Sequence, residues 1–139
     1  MGFELQQTAT SGLQFVDDAS SARGAAELVL GWTVNRAPTN TVVVGTLPAN
    51  AMITGINVIV PVVSNAASTA TVSVGLDGGS ATAFTAAQDV KGALGNFSQA
   101  AKAAWAIATT SQTINCTYTE TGGASTAGTA YVALKYIVN

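Results

Sequence analysis

Few side chains in this sequence could carry chemistry. Its 139 residues include no histidine, a single cysteine and seven acidic residues. Ser-His-Asp and Cys-His arrangements need an imidazole to accept the proton of the nucleophile, so both are excluded. Cys116 lies on the apolar side of an alternating segment, where a thiol is buried and unreactive. The sequence therefore predicts a structural cysteine and no nucleophilic catalysis.

Paired carboxylates are the other route to acid–base chemistry, and the positions of the acids do not support it. A glycosidase needs two facing carboxyl groups. Asp17 and Asp18 are adjacent, so their side chains diverge in an extended chain, and Asp77 lies in a glycine turn. Few aromatic rings are available to stack on a sugar. We expect no enzymatic activity and no cofactor.

Metal ligands are also scarce. Zinc sites are built mainly from several cysteine and histidine ligands, which this chain does not have. Residues 77–80 (DGGS) resemble a calcium loop only superficially, because the spaced acids of an EF-hand are missing. A tight turn is the simpler interpretation of this segment. We predict no metal site.

The charge and hydropathy pattern excludes further classes of partner. The net charge is −2 and the five cationic residues are scattered, whereas nucleic-acid binding needs clustered Lys or Arg. The longest apolar run, residues 56–63, is interrupted by Asn57 and Pro61 and is too short to cross a bilayer. The first residues do not have the pattern of a signal peptide, and the unpaired cysteine suits a reducing cytoplasm. We expect no nucleic-acid or membrane partner.

The composition instead favours contact with proteins. Only 9% of the residues are charged, 48% are hydrophobic and 6% are aromatic. A surface with so few charges is poorly protected against association. We therefore expect an intended protein partner that covers much of it.

Short alternating segments make up most of the chain after residue 25, and turn residues separate them. Six are predicted as strands: residues 27–34, 41–47, 52–63, 69–76, 111–120 and 129–138. In residues 84–110, an alanine-rich stretch favours one short helix, with one or two further strands beside it. We predict an all-β domain, an antiparallel two-sheet sandwich that is jelly-roll-like and has at most one short helix. An immunoglobulin-like sandwich is the alternative.

Alternation also assigns side chains to the faces of these strands. Trp32 alternates with Leu28 and Leu30 and is predicted to fill the core. Pro61 has no ladder donor and is predicted to lie at an edge or a bulge. One face of the third strand is predicted to carry Met52, Thr54, Ile56, Val58, Val60 and Val62.

Residues 1–24 differ from the rest, and we predict an N-terminal arm followed by the sandwich domain at residues 25–139. Short apolar clusters in a polar background are typical of an extended segment with anchor points. An edge strand with a frayed end is the alternative. The candidate contacts of the arm with a partner protein or with other subunits are Phe3, Leu5, Leu13, Phe15 and Val16.

Trp105 completes the set of candidate interface residues. It lies in an alanine-rich stretch that offers little to bury it locally. Two interpretations stay open, an ordinary core side chain and an anchor between chains.

Four segments follow one another in a familiar order: residues 42–48 (VVVGTLP), 52–58 (MITGINV), 71–75 (TVSVG) and 122–136 (GGASTAGTAYVALKY). In this order they resemble small β-sandwich structural proteins of tailed bacteriophages, in particular the capsid decoration (cement) proteins. The resemblance covers about residues 41–138 and leaves the arm unmatched.

The resemblance implies a jelly-roll-like domain, often trimeric, on the outer capsid surface where subunits of the major capsid protein lattice meet. It implies a virion protein made in the host cytoplasm, without activity or cofactor. Related sandwiches also occur in phage tails and fibres, so a tail or fibre structural protein is one alternative. A receptor- or carbohydrate-binding module is the other, although the loops here are mostly Gly, Ala, Ser and Thr.

Overall fold

The computed structural model of the chain describes residues 26–106 and 108–138. A single 3₁₀ turn, Ala103–Trp105, is the helical element of that part of the chain. The strands of the same part are β1 Leu28–Asn35, β2 Thr39–Leu47, β3 Ala51–Val62, β4 Thr69–Leu76, β5 Gln88–Asp89, β6 Gly95–Ser98, β7 Gln112–Thr121 and β8 Thr129–Val138. The predicted all-β domain with at most one short helix is confirmed.

The strands form two four-stranded sheets. Sheet A has the order β1-β8-β3-β6, and sheet B has the order β2-β7-β4-β5. Every pairing within the sheets is antiparallel. This order, in which the first and last strands are neighbours and the first four strands alternate between the sheets, is that of an eight-stranded jelly roll. The predicted sandwich and its jelly-roll form are therefore confirmed.

Small aliphatic side chains from the two inner faces form the core. Ile114, Cys116 and Tyr118 of β7 are fully buried, and so are Val132 and Leu134 of β8. They alternate with more exposed residues, as the period of two predicts. Burial raises the pKa of the Cys116 thiol to about 12, so the thiol stays protonated near neutral pH. The predicted buried cysteine is confirmed.

The start of β3 departs from the predicted alternation. The register between β3 and β8 shifts between Ile53 and Gly55. Such a bulge inserts one unpaired residue, so the inward-facing set moves by one position. Ala51 and Ile53 are therefore the buried residues here, and the prediction that Met52 and Thr54 share a face with Ile56, Val58 and Val60 is wrong.

A second irregularity ends β3. The middle of the strand follows the prediction, with Ile56, Val58 and Val60 buried. The register then shifts between Ile59 and Val62, and Pro61 lies inside this shift. The predicted position of the proline at a bulge is confirmed, because proline cannot donate to the ladder. Val62 lies beyond the shift and is exposed, contrary to the prediction.

One asparagine holds the glycine-rich loop between β7 and β8. The Asn65 side-chain oxygen accepts hydrogen bonds from the backbone N–H groups of Thr126 and Ala127, at 2.8 and 3.0 Å. Its side-chain nitrogen donates to the Thr126 hydroxyl at 2.8 Å. The Asn65 backbone N–H also donates to the Ala127 carbonyl. The loop is thus fixed against the segment that follows β3.

The two long sides of the sandwich are closed differently. On one side the outermost strands are β5 and β6, with two and four residues. Gln99, next to β6, donates through its side chain to the side-chain oxygen of Gln88 in β5 at 2.9 Å, which links the two sheets. On the other side the outermost strands are β1 and β2, with eight and nine residues. Long strand edges are therefore presented on that side.

Candidate interaction surface

All five contact residues predicted for the arm lie outside the described part of the chain. These residues are Phe3, Leu5, Leu13, Phe15 and Val16. The arm at residues 1–24 and its anchoring contacts therefore stay predictions.

Trp105 lies in the core, which is one of the two interpretations that the sequence left open. Its side chain is 9% exposed, and its indole N–H donates to the carbonyl oxygen of Phe84 at 2.7 Å. Phe84 is itself fully buried. The role of Trp105 as an anchor between chains stays a prediction, and little of the residue is accessible for such a contact.

Trp32 is exposed, and the prediction that it fills the core is wrong. Its side chain is 55% exposed, although Leu30 on the same face packs against the core and Val34 is fully buried. The reason is the position of β1 at the edge of sheet A, where none of the strands within residues 26–106 and 108–138 lies beside β1 to cover the ring. Periodicity identifies the face of a strand but not whether the strand is central or at an edge.

Exposed apolar side chains concentrate around β1. Leu28 is 45% exposed and Val29 is 58% exposed, and Trp32 follows on the same strand. Tyr131, on the neighbouring strand β8, is 38% exposed. Leu28 and Trp32 lie on one face of sheet A, and Val29 and Tyr131 lie on the other. Scattered apolar side chains are normal on a protein surface, but their concentration at one strand edge indicates contact with another molecule.

A surface depression of about 490 Å³ lies against the same strand. Its walls are formed by Gly31, Trp32, Thr33, Asn35 and Tyr131. The Tyr131 ring lies across Gly31, where an added Cβ would collide with the tyrosine hydroxyl. The absence of a side chain at Gly31 therefore leaves room for the aromatic ring.

The backbone of β1 offers hydrogen-bonding groups along its free edge. Antiparallel pairs alternate between hydrogen-bonded and non-hydrogen-bonded positions. The Arg36 N–H donates to the Gly128 carbonyl, which places the even-numbered residues of β1 in the hydrogen-bonded positions opposite β8. The N–H and C=O groups of Val29, Gly31 and Thr33 consequently point away from β8, toward the free edge.

The end of this edge agrees with that alternation. The carbonyl of Asn35, the next odd-numbered residue, accepts a hydrogen bond from the side-chain nitrogen of Asn40 at 3.0 Å. This carbonyl therefore points away from β8 and has a partner within the chain. The free part of the edge ends at Thr33.

β1 does not have the devices by which proteins usually protect a sheet edge, which are shortness, lysine, proline and bulges. β5 and β6 are short. β2 follows Pro38 and contains a register shift between Val43 and Gly45. β1 has eight residues without lysine or proline, and it pairs with β8 without a register shift. It is the edge best suited to accept an added strand.

The outer face of sheet B is rich in hydroxyl groups. The hydroxyls of Thr41 and Thr117 lie 3.1 Å apart, and those of Thr69 and Thr121 lie 2.6 Å apart. These pairs join neighbouring strands. The face therefore has partly self-satisfied hydroxyls that suit packing against a protein surface.

A buried polar cluster lies under the loop between β7 and β8. The Ser125 hydroxyl donates to the carboxylate of Glu120 at 2.9 Å, and Glu120 is only 7% exposed. Burial raises the pKa of the nearby Tyr118 hydroxyl. The sequence did not identify this cluster, since Glu120 occurs at the end of an alternating strand and its partners come from a loop.

The described ranges, 26–106 and 108–138, bring no three His, Cys, Asp or Glu side chains together in a metal-binding group. Residues 77–80 form the predicted turn, in which the Gly79 N–H donates to the Leu76 carbonyl at 3.0 Å. The carboxylate of Asp77 accepts a hydrogen bond from the side chain of Asn115 at 3.0 Å. In the same ranges, no helix has the length and apolar character needed to cross a membrane.

No family model matches the sequence, and no curated protein matches it. Solved structures do match the fold. A chain of the capsid asymmetric unit of cyanophage Pam1 superposes with a TM-score of 0.66 at 20% identity, over 94% of this chain and 98% of that one. A chain of the acid-stable capsid structure of Helicobacter pylori bacteriophage KHP30 gives a TM-score of 0.65 at 14% identity, over 82% and 89%.

A third similar chain comes from the capsid of Ralstonia phage GP4. It has a TM-score of 0.58 at 20% identity, over 92% of this chain and 93% of that one. At these identities the matches show a shared fold. The chain therefore resembles capsid-type β proteins of bacteriophages in fold, and the predicted resemblance is confirmed at that level.

Proposed function

We propose that the protein is a non-enzymatic structural component of a bacteriophage virion, and more specifically a decoration (cement) protein on the outer surface of the assembled capsid. The observation that carries this proposal is the match of nearly the whole chain to chains of three phage capsid structures. Fold alone does not define function, so the surface must also suit the role. The hydroxyl-rich outer face of sheet B and the apolar edge of β1 both suit contact with proteins.

Stabilisation of a shell by such a protein follows from mass action. A molecule that binds the assembled lattice but not the free subunit shifts the equilibrium toward the shell. In this proposal the partner is the lattice of the major capsid protein. The protein is made in the host cytoplasm and self-associates as a homotrimer. Phe3, Leu5, Leu13, Phe15 and Val16 supply the anchoring contacts of the arm.

The thermal stability of shells tests the proposal. Shells assembled from the cognate major capsid protein are heated with and without the purified chain, and their disruption is followed by light scattering. We expect the chain to raise the disruption temperature until its sites are saturated. Deletion of residues 1–20 should reduce this effect. An unchanged disruption temperature at saturating chain would contradict the decoration role, and an undiminished effect of the deletion variant would contradict the role of the arm.

One observation favours the alternative function of a carbohydrate- or receptor-binding module. The depression beside β1 is walled by two exposed aromatic rings, Trp32 and Tyr131, together with the amide of Asn35. Aromatic rings and amides are groups that bind sugars. Selective binding on a glycan array that is lost in Trp32→Ala would support this alternative, and the absence of binding would favour the capsid role.

A further inference from the structure

We infer that β1 accepts a strand from a second copy of this chain, and that the donated strand is the segment of residues 8–16. Neighbouring copies would then be joined by exchange of their N-terminal segments. The pairing deepens the arm's role proposed above and rests on the self-association proposed there. It can be tested without capsids, so its failure is distinguishable from failure of the decoration role.

The acceptor is the free edge of β1. Val29, Gly31 and Thr33 each direct one N–H and one C=O outward, which gives three donors and three acceptors in the spacing of an antiparallel ladder. A strand of five residues is long enough to pair with all of them. The edge has neither the lysine nor the proline that would oppose such pairing.

The side chains around the edge match an apolar donor. An added strand would cover Leu28 and Trp32 on one face of sheet A and Val29 on the other, and all three are about half exposed without it. In a sheet, directly opposed and diagonal side chains on the same face contact each other. A donor with apolar residues two positions apart would therefore pack beside Leu28 and Trp32.

Residues 8–16 (TATSGLQFV) have this pattern. Leu13 and Phe15 are two positions apart and so lie on one face of an extended strand, with Gln14 on the other. The segment contains no charged residue, and Asp17 and Asp18 follow it directly. By contrast, residues 3–7 include Glu4 within their apolar cluster.

The length of the connection favours donation to another copy. Eleven residues, 17–27, separate the segment from Leu28. Hairpin connections usually have about two to five residues. Fully extended, eleven residues span up to about 36 Å, which is long enough to reach a neighbouring molecule. Head-to-tail donation of this kind closes into a ring when the rotation permits, and the proposed trimer is such a ring.

Two matched lysine substitutions test the acceptor. Val29→Lys places a charge on the free edge of β1, and Val43→Lys places one on the edge of β2. The two positions have similar exposure, 58% for Val29 and 55% for Val43. We expect the full-length wild-type chain and the Val43→Lys variant to form the same oligomer by light scattering, and Val29→Lys to be a monomer. Circular dichroism and thermal unfolding show whether both variants are folded. A monomeric wild-type chain, or equal loss of assembly in both variants, would overturn the inference.

Mixing two defective variants tests exchange between copies. Phe15→Asp keeps an intact acceptor but carries a damaged donor, whereas Val29→Lys keeps an intact donor. We expect each to be monomeric alone and their equimolar mixture to contain a 1:1 heterodimer. A variant carrying both substitutions should not associate with itself. If the segment pairs with β1 of its own chain, mixing gives no complex, and the inference is contradicted. Association that persists after deletion of residues 1–20 would also contradict it.

Discussion

Trp32 and Trp105 occupy opposite environments. Trp32 is 55% exposed at the free edge of sheet A, whereas Trp105 is 9% exposed and its indole donates to the Phe84 carbonyl. Each tryptophan therefore reports on a different question, Trp105 on the integrity of the core and Trp32 on occupancy of the edge.

Fluorescence quenching separates these two environments. Two variants are made in the Val29→Lys background. Trp105→Phe leaves Trp32 as the only indole, and Trp32→Phe leaves Trp105. We expect acrylamide to quench Trp32 in the first variant several-fold more strongly than Trp105 in the second. With Val29 restored, Trp32 should gain protection because the donated strand covers it. Equal quenching of the two indoles in the Val29→Lys background would contradict their assigned positions.

Cys116 makes the stability of the folded protein depend on pH in the alkaline range. Burial raises the pKa of its thiol from 9.0 to about 12. Because the folded pKa is the higher one, the unfolded chain loses the proton first. The contribution of the protonated thiol to the free energy of unfolding is therefore fully present below about pH 9. It declines as the pH rises toward 12, by at most about 1.4 kcal/mol per pH unit.

A comparison with a non-titrating side chain measures this effect. Cys116→Val keeps an apolar side chain of similar size and removes the thiol. We expect the free energy of unfolding of the wild-type chain, minus that of Cys116→Val, to decrease between pH 9 and 12 and to be constant at neutral pH. A difference that does not change over this alkaline range would show that the thiol is accessible to water in the folded protein.

At the scale of elements, the loop between β7 and β8 depends on Asn65. Its side chain makes three hydrogen bonds to Thr126 and Ala127, which close the end of the sandwich. Removal of these bonds in Asn65→Ala should cost about 1–3 kcal/mol in the free energy of unfolding.

Asn40→Ala is the matched control, since it removes a single side-chain bond, to the Asn35 carbonyl, whereas Asn65→Ala removes three. We expect Asn40→Ala to cost less than about 1 kcal/mol. Urea unfolding measures both values. Equal effects of the two substitutions would show that Asn65 does not fix the loop.

Alternation was sufficient to predict the central strands. β7 and β8 have partners on both sides, so each inward residue is buried and the period of two remains regular. The jelly-roll form could be predicted because eight short antiparallel strands in this length suit it. The inward-facing residues at the start of β3 could not be predicted, because the bulge before Gly55 arises from the pairing of β3 with β8.

The candidate surface was harder to predict than the fold. Whether Trp32 is covered depends on which strand lies beside β1, and strand order is a long-range property of the chain. Which backbone groups of β1 point toward its free edge likewise depends on which residues of β1 are hydrogen-bonded to β8. The apolar residues at positions 3–16 were visible in the sequence, but the acceptor proposed for them was not, because it consists of backbone groups that every residue carries.

At the scale of the whole molecule, the jelly roll presents two different surfaces. The outer face of sheet B is hydroxyl-rich, which suits a broad contact with a protein lattice. The free edge of β1 suits contact between copies of the chain. A small protein with both surfaces can bind at a junction of the lattice and also join its neighbours.

The decoration role requires that this chain binds the assembled capsid. The most direct measurement is sedimentation of the purified full-length chain with shells assembled from the cognate major capsid protein, in parallel with the unassembled subunit. We predict saturable binding to shells, with a fixed number of copies per shell, and no complex with the free subunit. Equal binding to the free subunit would contradict stabilisation by selective binding. No binding to shells would contradict the decoration role itself.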